Sequence, residues 1–586
     1  MGIIKYLLKG LMLLLKLIYF MKDYKKESIL GPIFKLIEAI LELFIPIVMA
    51  KIIDIGVLNK DVNYVYKMGG LLILLGAVGL GFALVCQYYA SIASQGAGTS
   101  IRSKLYKHIN KLSHSEIDKI GTPTLITRLI NDINQIQTGI AMLIRLGTRS
   151  PFIIIGSTIM AITIDLKLSI IFLLTTPLIA LVIYLVMSKS LPLYKVIQGK
   201  LDNLSLITRE NLEGARVIKA FSKETNEKER FKDATIELTD TSINVGKISA
   251  LLNPITYMIM NLAIIALLWF GGIRVNIGSL TQGEVIAFIN YITQILLSLI
   301  VFSQLIVILT KGATSANRVL EILSIKPSIT DNHINSYIKD KKTNSLIEFK
   351  NVSFSYSDSN EYSLKDINLT INKNETIGII GGTGSGKSTL VNLIPRFYDV
   401  TSGEIFVKGL NIKDYKLKDL RKLIGIVPQK AVLFKGSILE NLKWGKEDAD
   451  INDVKEALEI SQAKSFVDSL PEKYNAPVLQ GGKNFSGGQK QRLTIARALI
   501  SKPEILILDD SSSALDFATD AALRKSLKEK TKDMTVLIVS QRVSSIRNAD
   551  KIVVLDNGEI KGIGTHDYLL KNCQVYSEIY SSQLTN

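Results

Sequence analysis

Up to about residue 310 the apolar side chains fall in long runs, broken mainly by short polar stretches. Six of these runs can span a bilayer at roughly 20 residues each. They are 29–55, 67–93, 137–163, 167–190, 249–272 and 281–309. Their connections are unequal. Asp165-Leu-Lys167 is a tight link, whereas 94–136 and 191–248 are long, polar and helix-patterned. That contrast predicts helices running well past the apolar layer on one side. From residue 346 the rhythm changes to short apolar strands alternating with helical stretches, the α/β pattern.

The charge of +17 over 586 residues fits this layout. Lys and Arg crowd the long connections, so the positive-inside rule puts these connections and both termini in the cytoplasm of a multi-pass protein of the cell membrane. Nucleic-acid binding is the competing account of a basic chain, and six spans argue against it, so no nucleic acid is expected as a partner. Residues 2–20 are apolar apart from Lys5, Lys9 and Lys16, which fall within about 40° on a helical wheel. No small-residue cleavage site follows, so the stretch reads as an amphipathic helix on the inner membrane surface. An extension without a role is the alternative for part of it. Cys86 and Cys573 lack any motif, so neither a disulfide nor a zinc site is expected. The four histidines are scattered and read as surface residues.

Lys35, Glu38 and Glu42 share a face of the first run, and Arg145 and Arg149 lie in or near the third. Ionisable groups at membrane depth are functional candidates, and pairing with one another is the structural alternative favoured here. Glu284 reads as an interfacial residue.

The chemistry lies in the second half. Gly381 to Thr389 reads GGTGSGKST, a phosphate loop between the apolar strand Thr376–Ile380 and a helix. Gly381, Gly382, Thr383, Gly384, Ser385 and Gly386 let the backbone curl so that its N–H groups face phosphate oxygens at a positive helix end. Lys387 would reach the β- and γ-phosphates, and Ser388, followed by Thr389, would ligate Mg²⁺. Downstream, ILILDD (Ile505 to Asp510) is a strand tipped with two acids, suited to a magnesium carboxylate (Asp509) and a general base (Asp510).

A second cluster, NFSGGQKQR from Asn484 to Arg492, opens another helix. Taken alone, Ser486 is an ordinary N-cap. Together with Gly487, Gly488 and Gln489 it forms a second phosphate cradle. One chain does not need two cradles for one γ-phosphate. Head-to-tail dimerisation, with this turn closing over a nucleotide held by another subunit, resolves the excess.

These motifs resemble the ATP-binding cassette (ABC) family, specifically exporters with fused membrane and ATPase domains, over roughly Tyr24 to Tyr580. The resemblance implies an all-α six-helix transmembrane domain (22–310) after the surface helix (1–21), then a linker (311–345) and an α/β P-loop NTPase domain (346–586). ATP and Mg²⁺ are the implied cofactors. Tyr356 looks like the aromatic that stacks on adenine. Gln429 looks like the glutamine that touches Mg²⁺ and relays nucleotide state, and Asp516 like part of the loop signalling between sites. Ser113 to Leu129 and Thr208 to Glu224 resemble the intracellular coupling segments, with solvated helical surface as the alternative.

The chain also departs from the family pattern. Asp510 stands where Glu is usual, Gln541 where His is usual, Gln480 where Glu is usual, and Phe485 where Leu is usual. A general base must lie within hydrogen-bond reach of its water, and a misplacement of about 1 Å can cost about a hundredfold. A Gln donates an amide hydrogen bond but carries neither the proton nor the charge of a His. A weak own site beside an intact signature turn predicts one half of a heterodimeric exporter, with a slow homodimer as the alternative. The expected partners are a second half-transporter, the lipid bilayer, and a lipophilic small molecule, lipid or peptide as cargo.

Overall fold

The computed structural model describes residues 20–331, 344–356 and 361–584. The surface helix expected over 1–21 lies almost entirely outside the described residues. The chain divides into two compact units, one of residues 1–110 and 123–325, the other of 111–122 and 326–586.

The first unit is helical. Five of its helical stretches are long and apolar enough to cross a membrane: Val62–Ile109, Thr122–Ile164, Leu166–Glu213, Glu224–Asn276 and Gln282–Ser324. They cover five of the six expected spans. A 48-residue helix such as Val62–Ile109 is about 72 Å long at 1.5 Å per residue, far beyond a hydrocarbon layer of about 30 Å. The sixth expected span is the helix Lys25–Lys51, which continues into a π-helical turn over Ile52–Val57. Its charges separate it from the apolar set, and Lys35, Glu38 and Glu42 are paired. Lys35 Nζ lies 2.6 Å from Glu38, and Arg149 Nη2 lies 2.7 Å from Glu42. Arg145 is half-buried.

Local rules explain the helix ends. Asp61 caps Val62–Ile109 by accepting from Tyr64 N–H at 3.0 Å. Asp165 caps Leu166–Glu213 through Leu168 N–H at 2.8 Å and also pairs with Arg274. Thr281 and Glu284 form a reciprocal capping box at the start of the last helix, so Glu284 has a definite local task. Two aspartates in π-helical turns reach this last helix from elsewhere. Asp54 accepts from Thr281 Oγ1 at 2.6 Å and from Gly283 N–H at 2.7 Å. Asp132, in the π-helical turn Arg128–Asp132, accepts from Ser315 Oγ at 2.9 Å and pairs with Arg128 and Arg318. Between these ends a core of Phe172, Phe288, Tyr291 and Ile295 is fully buried. The last helix runs to Ser324, so the linker expected from 311 begins as helix.

The second unit carries two larger sheets. Strands β1 (Ser345–Phe354), β2 (Leu364–Asn372), β4 (Ser402–Val407) and β5 (Leu410–Asn411) form an antiparallel sheet in the order β2-β1-β4-β5. Strands β3 (Thr376–Ile380), β6 (Ile424–Val427), β9 (Ile505–Asp509), β10 (Thr535–Val539), β11 (Lys551–Asp556) and β12 (Glu559–Gly564) form the other, ordered β12-β11-β3-β10-β9-β6. All its pairings are parallel except β11–β12. Strands β7 (Gly436–Ser437) and β8 (Pro477–Val478) make a small separate pair. Alternation places Ile377, Ile379, Ile507 and Val539 in one core and Leu506, Leu508, Ile538 and Val554 in another. Both faces of the sheet are covered, which is why its strands read as unbroken apolar runs.

The segment 111–122 packs with this unit. Its helix His114–Ile120 carries a Ser113/Glu116 capping box and stops at Gly121, where φ is +81°. The His114 ring lies 4.7 Å from Phe397, and Tyr398 Oη donates to Asp118 at 2.6 Å. In the other connection, a short helix Ala215–Ala220 follows a break at Gly214.

Candidate nucleotide site

The site forms where β3, β9 and β10 end side by side. Between β3 and the helix Lys387–Leu393, Gly384 and Gly386 take φ of +82° and +94°, conformations that favour glycine. Lys387 is 8% exposed, and its Nζ donates to the carbonyls of Gly381 at 2.9 Å and Gly382 at 2.6 Å. Burial holds its pKa below the usual lysine value, against the opposing pull of Asp510 and Asp509. The loop's own carbonyls thus hold the ammonium at the point where phosphate oxygens would take over.

Ser388 Oγ donates to Asp509 Oδ1 at 2.9 Å, which ties the start of the helix to the tip of β9. Asp509 is buried, and burial pushes its carboxyl above the usual range. Asp510 follows with φ of +45°, which Asp tolerates better than most residues. Its N–H donates to Val539 O at 3.0 Å, and its Oδ2 lies 3.4 Å from Gln429 Nε2. Lys387, Ser388, Gln429, Asp509 and Asp510 therefore converge.

Tyr356 also reaches the loop. Its hydroxyl lies 3.2 Å from Thr389 Oγ1, and its ring stands edge-on to Phe354 and Tyr398. At 38% exposed it keeps free area for a stacked base.

Ser486, Gly487, Gly488 and Gln489 are not brought to the phosphate loop. Ser486 caps the helix Gly487–Leu499 in a reciprocal box with Gln489, so the N-cap reading and the cradle reading describe the same turn. Phe485 is buried against Phe466, which accommodates the change from Leu, and Gln480 is exposed. Asp516 caps the helix Phe517–Lys530. It accepts from Thr519 N–H and Oγ1 at 2.8 Å each, bonds that hold its carboxyl below the usual range.

Gln541 is exposed in the loop after β10. A residue the sequence did not flag holds that loop. Gln583 donates through Nε2 to Gln541 O at 2.7 Å and accepts at Oε1 from Val543 N–H at 2.9 Å. Nothing local signals a contact spanning 40 residues. His566, expected at the surface, is buried, with Nδ1 2.7 Å from Tyr576 Oη. An apolar setting closes over it because Tyr576 and Tyr580 pack against its ring.

Comparison with known proteins agrees with this geometry. The family profile for the ABC transporter transmembrane region matches residues 28–299, and that described as ABC transporter matches 364–513. An uncharacterised ABC transporter ATP-binding protein of Mycobacterium tuberculosis is 36% identical over 577 residues, 98% of each chain. The chain belongs to the ABC transporter family. A putative multidrug export ATP-binding/permease protein of Bacillus subtilis is 32% identical, over 97% of this chain and 98% of its own. An ATP-dependent lipid A-core flippase of Syntrophus aciditrophicus is 33% identical, over 85% and 83%. A bacterial Atm1-family ABC exporter, solved with ATP bound, shares the fold with a TM-score of 0.80 at 23% identity, over 95% of this chain and 99% of that one. This ABC transporter is thus an exporter with membrane and ATPase regions fused in one multi-pass chain. It is an ATP-driven transport ATPase and a half-transporter, which pairs with another ABC half or with itself.

Proposed function

We propose that this chain is the degenerate-site half of a heterodimeric exporter in the cytoplasmic membrane. The observation that carries the reading is Asp510, a shortened acid in the general-base position, converging with Lys387, Ser388 and Asp509; Gln541 follows β10 where a His is usual. ATP binds through Tyr356 and residues 381–389. The oxygens of Ser388, Asp509 and Gln429 are hard donors that suit Mg²⁺, and the ion, when bound, neutralises charge on the β- and γ-phosphates. Asp510 holds its water poorly, so ATP persists there. The signature turn Ser486–Gln489 completes the partner's competent site, and Asp516 signals between the two. Closure of the ATPase pair turns the membrane cavity outward, and the partner's hydrolysis resets it. The segments around His114–Ile120 and Ala215–Ala220 transmit that motion. The relatives named for multidrug export and lipid A-core flipping support a lipophilic or amphipathic cargo, and the Lys- and Arg-rich connections support a cytoplasmic ATPase.

The test is steady-state ATPase of the purified chain, with and without Asp510→Glu and Gln541→His together. The expected result is slow native turnover and a gain of roughly a hundredfold on repair. Brisk native turnover would instead make the chain a working homodimer. ATP-driven uptake into vesicles by a co-expressed pair then separates transport from purely regulatory nucleotide binding.

A further inference from the structure

The terminal helix reaches the nucleotide site through one side chain. Helix Gln574–Leu584 is anchored by Tyr576, which is fully buried and hydrogen-bonded to His566. From its last turn Gln583 extends its amide across the loop after β10, donating to Gln541 O and accepting from Val543 N–H. Val543 opens the short helix Val543–Ile546, for which Arg542 supplies no side-chain cap. Gln583 therefore acts as a remote cap while it grips the carbonyl two residues earlier. Among side chains of that length only a primary amide offers a donor and an acceptor in one planar fork.

The rest of the loop is held independently. Ser540 N–H donates to Ile379 O at 3.0 Å, and Ser540 Oγ accepts from Arg542 N–H at 2.9 Å. Arg524 donates to Ser544 O at 2.6 Å, and Ser545 Oγ lies 3.3 Å from Asp520. Both Arg524 and Asp520 lie on the helix that Asp516 caps. Around Arg542, whose own N–H is held by Ser540 and whose carbonyl accepts from Ser545 N–H at 3.1 Å, the Gln541 carbonyl and the Val543 N–H are the groups that Gln583 holds.

We propose that Gln583 is a positioning residue for Gln541. It fixes the backbone from which Gln541 aims its amide at the γ-phosphate, and so it sets how long ATP stays in this site. The inference rests on the proposed role of Gln541 at the nucleotide.

The test uses the full-length transporter with its partner in lipid nanodiscs. Dissociation of a fluorescent ATP analogue is followed after a chase with excess ATP, together with hydrogen exchange over residues 540–546. Gln583→Ala loses both bonds, and Gln583→Glu keeps the acceptor but turns a carboxylate toward the Gln541 carbonyl. Loss of such hydrogen bonds predicts roughly fivefold faster release for Gln583→Ala, and more for Gln583→Glu. Exchange at 540–546 should rise in both. Gln541→Ala should speed release by itself, and adding Gln583→Ala to it should change little further, because both act through one side chain. A merely structural Gln583 would lower the melting temperature in both backgrounds and leave release unchanged, which overturns the proposal. Additive effects of the two substitutions overturn it as well. If Gln541→Ala leaves release unchanged, the assigned role of Gln541 fails first. A Gln583 effect that persists in that case belongs to some other contact. Should Gln583→Glu fail to fold, Gln583→Asn, one methylene too short, supplies the same comparison.

Discussion

The phosphate loop and the signature turn are both glycine-rich helix starts, yet their first glycines are packed differently. A Cβ placed on Gly381 would lie 2.0 Å from the Leu555 carbonyl, and Lys387 is already bound by the carbonyls around it. A Cβ on Gly487 would meet nothing within 4 Å, although Ser486 and Gln489 have already satisfied the local backbone. In the first loop Gly381 and Gly386 are constrained from within their own domain, while Gly382 and Gly384 stand in open space. In the second, a Cβ on Gly488 would lie 3.0 Å from the Ala514 carbonyl, and Gly487 has spare room. Packing explains glycine at 381 and leaves glycine at 487 unexplained.

The largest test of this contrast is Lys387→Ala. It removes a charge-assisted partner of the phosphates, so ATP affinity should fall roughly a hundredfold, measured with a fluorescent nucleotide. The sharpest test is a matched pair of substitutions. Gly381→Ala should destabilise the fold by about 2 kcal/mol or more through the Leu555 clash. Gly487→Ala should melt like the native protein and yet slow turnover of the assembled transporter by roughly tenfold. If Gly487→Ala kept full turnover, the outward-facing reading of the signature turn would fail. Tyr356→Ala should weaken ATP binding by roughly fivefold, the worth of one aromatic stack, with little change in maximal rate.

The smallest expected effect concerns His566. Burial holds its folded pKa below the ordinary value of 6.5, with Arg547 acting in the same direction and Asp567 opposing. The unfolded chain therefore takes up the proton first. The stability contributed by neutral His566 is complete above 6.5 and is lost as pH falls through the folded value. The melting temperature should drop modestly between about pH 7.5 and 5.5, and His566→Gln should flatten that dependence.

Much of the nucleotide site was legible because its residues act through short-range rules. A strand, a glycine turn and a Lys-Ser pair place Lys387 and Ser388 wherever they occur, and apolar runs mark β3, β9 and β10 because that sheet is buried on both faces. Pairing is the favoured reading of the charges in the first span, and Lys35–Glu38 and Glu42–Arg149 are paired. What escaped depends on long-range geometry. Gln583 reaches back 42 residues to Gln541, His566 is buried by partners on a later helix, and the left-handed backbone of Asp510 carries no glycine to announce it. The last membrane helix runs beyond the apolar span because the hydropathy signal fades near 310, while Gly312, Ala313, Ser315 and Ala316 stay buried in a helix that continues to Ser324.

The two π-helical turns of the membrane region also bear on how the gene can change. Each is a helix that has absorbed an extra residue, and each turns an aspartate onto the last helix. Deleting one codon from the second would restore a regular helix and rotate the positions from Ile133 onward by about 100°. Asp132 would then swing away from Ser315 and Arg318, and the packed face beyond would turn out of register; in the first turn, which ends its helix at Val57, a deletion would displace Asp54 from Thr281 and Gly283. Chain length therefore matters in these turns, quite apart from amino-acid identity. A one-residue deletion should cost more there than in an exposed polar connection such as Ser222–Lys223.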